Sequence, residues 1–221
     1  MKPVPINRTP WRSARWLIVA PHPDDEVLGA GALLHHAAEA GQLAGMVYLT
    51  DGGGSHPEGT ARLRSVRRRE ASLALRRLCG QPIRPDWLGW HDGNPHASNS
   101  IAFHRSALRL AAMIRARQVS GLAVSDPGDE HCDHVAAFEL ARAACDAARS
   151  AVQLFTYSVW HGRICEGCQV RSEPMPLGLR RSALAAHRSQ LTPRMGAGFR
   201  LPDPMRVMRG TDTLTAVGWP R

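Results

Sequence analysis

Two short stretches of the chain hold the residue types that metal-assisted hydrolysis requires. PHPDDE at 21–26 supplies the imidazole of His22 and the carboxylate of Asp25, both ligands for a borderline cation such as zinc, while Asp24 between them can point elsewhere and act as a base. HCDH at 131–134 adds two imidazoles three residues apart. They share one face if both belong to the first turn of a helix, which offers a third neutral ligand and leaves one histidine over. Asp126 and Asp129, just upstream, are alternative carboxylate ligands that would leave the reaction class unchanged. An Asp pair before a helix is more commonly a cap, and a lone HxxH is commonly accidental. The case for a site therefore rests on the two stretches meeting.

The elements around them predict that meeting. WLIVA at 16–20 has the pattern of a buried strand and the run from Val27 that of a helix; GLAVS at 121–125 and VAAFELARAAC from Val135 repeat the arrangement. Both sets of candidate ligands thus lie where a strand hands over to a helix, the place where open α/β sheets bind ligands. Pro21 and Pro23 restrict the first of these turns. Further strands are expected at 45–50, within 84–93 and within 151–160, and helices at 61–80, in the stretch NSIAFHRSALRLAAMIRARQV and at 179–190. The expected fold is an α/β single-domain Rossmann-like sandwich with a mostly parallel sheet flanked by helices and the active site at the C-terminal ends of the strands. At 221 residues, 43% hydrophobic, the chain supports one such core. We take residues 1–221 as one domain, with 1–14 a flexible N-terminus and 161–221 a variable substrate-side region.

HPDDE followed about one hundred residues later by HxDH resembles the LmbE-like, or PIG-L, family of zinc-dependent N-deacetylases. The resemblance covers roughly residues 15–160 and resumes near 180–190, where His187, Ser189 and Gln190 match an H-x-S-Q ending. It implies one zinc ion per chain held by His22, Asp25 and His134. Asp24 would be the general base, His131 would stabilise or protonate at the tetrahedral intermediate, and Asp133 would orient and charge that second histidine without binding metal. An R-x-x-E pattern falls on Arg67 and Glu70 and makes Arg67 a substrate contact, joined by Asp92 after the third strand and Asp51 at the rim. The implied substrate is an N-acetylglucosamine-containing conjugate, lipid-linked or a glycosylated natural product, hydrolysed to free amine and acetate. Asp129, two residues before His131, departs from the aromatic or small residue usual there and is expected to add negative charge at the rim. Trp87 or Trp90 could offer a sugar a stacking face, although core packing is expected of at least one.

The formal charge of +9 comes with a single lysine, Lys2, and neither aromatic interleaving nor a binding motif, so no nucleic-acid partner is expected. No apolar stretch is long enough to span a membrane and no secretory leader is recognisable. We expect a cytoplasmic protein, compatible with a peripheral position at a membrane and with a homo-oligomer. Five cysteines argue against a disulfide framework, and CEGC at 165–168, with His161 nearby, lacks an evident fourth ligand for zinc. No G-x-S-x-G elbow supports serine catalysis. The competing readings are a metal-dependent amidase on a non-sugar N-acyl substrate, a phosphoesterase, and a non-catalytic carbohydrate-binding relative.

Overall fold

The computed structural model describes residues 2–57, 61–129, 131–160 and 167–218. In chain order these form β1 (Val4–Pro5), β2 (Trp16–Ala20), α1 (Asp25–Glu39), β3 (Leu43–Thr50), α2 (Ala61–Cys79), β4 (Asp86–Trp90), α3 (Ile101–Ala116), β5 (Gly121–Ser125), α4 (Cys132–Ala148), β6 (Gln153–Tyr157), β7 (Cys168–Arg171), α5 (Leu177–Leu184), α6 (Arg188–Leu191) and β8 (Thr213–Ala216). One eight-stranded sheet has the order β1-β7-β8-β6-β5-β2-β3-β4. Strands β4, β3, β2, β5 and β6 run parallel, as expected, whereas β8 enters antiparallel between β6 and β7.

Strand β2 shows why the parallel part is so apolar. All five of its residues are buried, with Trp16, Ile18 and Ala20 in the core layer under α1 and α2 and Leu17 and Val19 in the layer under α3 and α4. A strand covered on both faces needs a continuous apolar run rather than an alternating one. From β2 the chain steps outward to β3 and β4, then returns to place β5 on the other flank of β2. The order reverses there, so the loops leaving β2 and β5 open into the crevice of an α/β switch point.

Three features differ from the sequence expectation. The leading segment, expected to be flexible, has Trp11 buried edge-on against Phe155 at 4.9 Å and pairs Val4 and Pro5 with β7. The late helix expected at 179–190 is two helices, α5 and α6. The last thirty residues, read as lacking periodicity, contain β8, whose four residues are too few to establish an alternation. Cys165 and His161 lie outside the described residues; Cys168 opens β7 as a free thiol. Among the described residues no helix is long and apolar enough to cross a membrane.

Helix α1 is interrupted at Ala30, whose φ of −131° and ψ of 17° leave its ladder incomplete. A buried ion pair fills the gap. Arg180 donates through Nε to the Val27 carbonyl (2.8 Å) and through Nη2 to that of Leu28 (2.6 Å), while Asp212 accepts from the Leu33 N–H (2.9 Å) and meets Arg180 at 2.7 Å. The interruption is thus satisfied by side chains from the C-terminal region, as buried backbone groups require. Asp212→Ala strands the Arg180 charge and the Leu33 N–H together and should cost about 3–5 kcal/mol in urea unfolding. A loss below about 1 kcal/mol would show that packing alone holds the interrupted helix.

Candidate metal centre

The loop leaving β2 is shaped before any ligand is considered. Asp24 adopts φ 118° and ψ −30°, a left-handed conformation costly for a residue with a Cβ. It is held there by its own N–H donating to Glu26 Oε2 (2.8 Å) and by Arg67, which donates to the carbonyls of Pro23 and Gly52 and lies 3.5 Å from Asp24 Oδ1. Gly52 has φ +68°, and a Cβ on it would overlap the Arg67 guanidinium, so only glycine lets that group through. Arg67 is 2% exposed. Expected as a substrate contact, it is spent largely on bracing this turn, though it still lines the cavity.

His22, Asp25 and His134 meet at one oxygen. Asp25 Oδ2 lies 3.2 Å from His22 Nδ1 and 3.4 Å from His134 Nε2. Ligands bonded tetrahedrally at about 2.0–2.1 Å stand about 3.3 Å apart, so both separations match two edges of a zinc-like site. The histidines are also set in the right tautomer. Asp129 accepts the Val159 N–H (2.9 Å), the Trp160 N–H (3.0 Å) and the Ser158 hydroxyl (3.0 Å), so its remaining contact at 3.1 Å takes a proton from His134 Nδ1. That leaves Nε2, buried and facing Asp25, as the nitrogen whose proton a metal would displace. On the other side, His22 Nε2 faces Asp133 Oδ2 (2.9 Å) and Asp92 Oδ1 (3.1 Å), which turns Nδ1 to Asp25. Carboxylates behind both imidazoles are the usual outer support of a metal site. Among the described residues, the sets whose donor atoms all lie within 4.8 Å of one another join His22 to His131 and His134, and to Asp92 and Asp133; Asp25 is in neither set.

The electrostatics fit a place for positive charge. Burial alone would depress His22 and His134, but the surrounding carboxylates outweigh it: Asp133, Asp25 and Asp92 raise His22 well above its ordinary value, and Asp25 and Asp129 raise His134 to about 9. Asp25 is correspondingly held far below the usual carboxylate range by the two histidines, against the effect of its burial. A cation entering here displaces protons, so its affinity should climb with pH toward about 9. Asp24 moves the other way. Burial, only partly offset by Arg67, pushes its carboxyl up to about 6.

The other expected residues separate into those near the cluster and those away from it. His131 caps α4, its Nδ1 accepting the Asp133 N–H (3.2 Å), and burial plus the neighbouring His22 and His134 lower its pKa. The Asp133 side chain, expected behind His131, lies behind His22 and accepts the Gly93 N–H. Asp92 likewise backs His22 while accepting the Gly54 N–H, and remains on the cavity wall. Asp51 points away, toward Arg68 (3.4 Å) and Arg64 (4.0 Å), and does not line that cavity. Asp129, expected as rim charge or as a ligand, is buried behind His134; Asp126 is spent on Thr156 and Gly128. Trp87 stacks on Tyr48 and under Arg68, and Trp90 is in the core. The aromatic wall comes from Trp160 and Phe199, 5.6 Å apart, to which the sequence alone assigned no role. The cavity over the cluster measures about 280 Å³, with Gly54, Ser55, Asp92 and Gln190 on its polar side and Leu28, Trp160, Phe199 and Leu201 on its apolar side.

Fold and donors together define an α/β protein with a candidate metal centre at the switch point of its sheet. Residues 17–145 match the model of the GlcNAc-PI de-N-acetylase (PIG-L) family, and the chain belongs to that family. It is therefore a deacetylase-like hydrolase by descent, with residues able to hold a metal. A comparison with curated proteins gives no sequence match. Among solved structures, the chain is similar to the conserved protein TT1542 from Thermus thermophilus, at 26% identity and a TM-score of 0.65 over 94% of this chain and 99% of that one. It is similar to the N,N'-diacetylchitobiose deacetylase from Pyrococcus horikoshii at 22% identity and a TM-score of 0.61, over 90% and 75% of the two chains. It is also similar to GalB, the 4-carboxy-2-hydroxymuconate hydratase from Pseudomonas putida, at 18% identity and a TM-score of 0.60, over 93% and 96%. At such identities the last two likenesses show the fold alone.

Two outcomes test this geometry. Asp129→Ala frees the far nitrogen of His134 and should weaken zinc binding about 10–100-fold in a competitive chelator titration; unchanged affinity would mean that packing alone orients the ring. Because the Asp24 carboxyl is raised, the folded chain holds that proton more tightly than the unfolded one, and stability falls as pH rises from about 4 to about 6. Above that window Asp24→Asn removes a buried charge and should raise the melting temperature of the metal-stripped protein at about pH 8. A lower melting temperature would show that the Arg67 contact outweighs the burial of Asp24.

Proposed function

We propose that the chain is a zinc-dependent N-deacetylase that hydrolyses the acetamide of an N-acetylglucosamine-containing conjugate to free amine and acetate. The observation that carries this reading is the convergence of His22 and His134 on one oxygen of Asp25 beside a second, perturbed carboxylate, Asp24. His22, Asp25 and His134 hold the ion, which when bound supplies Lewis acidity toward an amide carbonyl and toward water.

The chain's own groups do the rest. Asp24, with its carboxyl near 6 in the metal-free chain and lower beside a dication, is ionised at neutral pH and takes a proton from the attacking water. His131 has Nδ1 occupied as an acceptor and a lowered pKa, so it acts as a neutral donor through Nε2 toward the developing oxyanion. Asp24 then returns its proton to the departing amine. Asp92 and Gln190 on the polar wall suit hydroxyls, and Trp160 and Phe199 suit the apolar face of a sugar ring. A cavity at the small end of ligand pockets favours one sugar unit, with the remainder of the conjugate outside.

A non-sugar N-acyl substrate is the second reading, favoured by the apolar wall of Leu28, Trp160, Phe199 and Leu201. Free-amine release should be measured under zinc for N-acetylglucosamine conjugates, with and without lipid tails, beside N-acyl amino acids and phosphoesters. Sugar conjugates should be preferred; preference for N-acyl amino acids, or phosphate release alone, would overturn the substrate assignment. H22A, D25A and H134A should lose metal and turnover together. D24N should keep metal and lose about 10²-fold or more in kcat, along with the acid limb of the pH profile at or below about pH 6. Near-normal turnover in D24N would move the base elsewhere.

A further inference from the structure

We propose that the last turn of α1 carries a second cation site, formed by His35, His36 and Glu39, for a borderline divalent transition ion such as Zn2+. The donor atoms of the three side chains lie within 4.8 Å of one another, far along the helix from PHPDDE. The fifteen residues of α1 separate its ends by about 20 Å, so the two clusters are independent.

The argument begins with the protons on the two rings. His35 Nδ1 is 2.8 Å from the Leu78 carbonyl oxygen, and His36 Nε2 is 3.1 Å from that of Pro174. A carbonyl oxygen only accepts, so each of these nitrogens carries the hydrogen. In the neutral form of each ring the lone pair is on His35 Nε2 and on His36 Nδ1, and these nitrogens face Glu39 Oε2, at 3.4 and 3.6 Å. In that state no hydrogen lies between the three donor atoms, which converge on one point. A cation fits that point, and the separations approach the roughly 3.3 Å edge of a tetrahedral site with bonds of about 2.0–2.1 Å.

Three further observations favour a cation. Backbone carbonyls fix both ring tautomers, the outer support that metal-binding histidines ordinarily have. The cluster sits at a helix C-terminus, where the backbone dipole favours positive charge. Finally, Glu173 lines the same surface cavity as His36 and Glu39, and its Oε1 is buried without a partner among the described residues. Two imidazoles with carboxylate oxygen suit zinc, nickel or copper over magnesium or calcium. Nothing in the proposed deacetylation uses this site. An ion here would tie the end of α1, already bonded to the end of α2 through His35 and to the segment before α5 through His36, into one rigid corner.

The test is a count of zinc. Chelator-stripped full-length protein is titrated with micromolar Zn2+ and the bound metal measured after desalting, for wild type, H22A, H36A and E39Q. Glu39 and His36 are exposed enough to be replaced without disturbing the core. Two equivalents in wild type, falling to one in H36A, one in E39Q and one in H22A, is the expected result. A single wild-type equivalent that H36A and E39Q remove while H22A keeps it would support this site and sink the first. Overturning outcomes are a single equivalent that only H22A removes, or two equivalents that H36A and E39Q both retain.

Discussion

Two buried imidazoles can lean on the same carboxylate oxygen only if each has another place to put its proton. His22 gives its far nitrogen to Asp133 and Asp92, and His134 gives its own to Asp129, so the near nitrogen of each ring is turned to Asp25 and is free to exchange its proton for a metal. Those outer carboxylates are in turn held by backbone N–H groups: Gly93 on Asp133, Gly54 on Asp92, Val159 and Trp160 on Asp129. The loops leaving β3, β4 and β6 are thereby fastened to the loops leaving β2 and β5. Moving any one of them would cost a buried carboxylate its hydrogen bonds, which is expensive where water cannot replace them.

A second layer holds Asp24 in its unfavourable backbone. Arg67 reaches it from α2 through the space left by Gly52, and Glu26 takes its N–H while meeting His187 from the C-terminal region at 3.3 Å. Glu70 of α2 then accepts both the N–H and the hydroxyl of Ser189. The R-x-x-E and H-x-S-Q residues are thus partners of one another across the molecule. Their shared work is to over-determine a strained turn, which is how such strain persists in a folded protein.

The parallel sheet and the position of the site were legible because β2 and β5 are continuous apolar runs that end on distinctive residue types. Periodicity carries that information locally. It does not carry which carboxylate stands behind which imidazole: Asp133 is adjacent in sequence to the cluster it was expected to serve, yet its side chain crosses to His22, 111 residues away. Asp129 looked like surface charge because its partners, Val159 and Trp160, lie about thirty residues on, after an intervening helix. The aromatic wall was illegible for the same reason, since Trp160 and Phe199 meet only through tertiary folding. A short strand such as β8 has no period to detect at all.

The position of β8 also sets an order of events during synthesis. Thr213–Ala216 forms the only described link between β6 and the pair β7 and β1, so Val4 and Pro5 can join the sheet only after a segment some two hundred residues later has emerged. Until then the strand edges of β6 and β7 are open and the Trp11 side of the core is uncovered, with Asp212 not yet present to bridge the interruption in α1. Parallel strands β2 to β6 can assemble on the ribosome ahead of this. Closure of the sheet is a late, long-range step, and a nascent chain waiting for it exposes unpaired strand edges, ready templates for pairing with another chain.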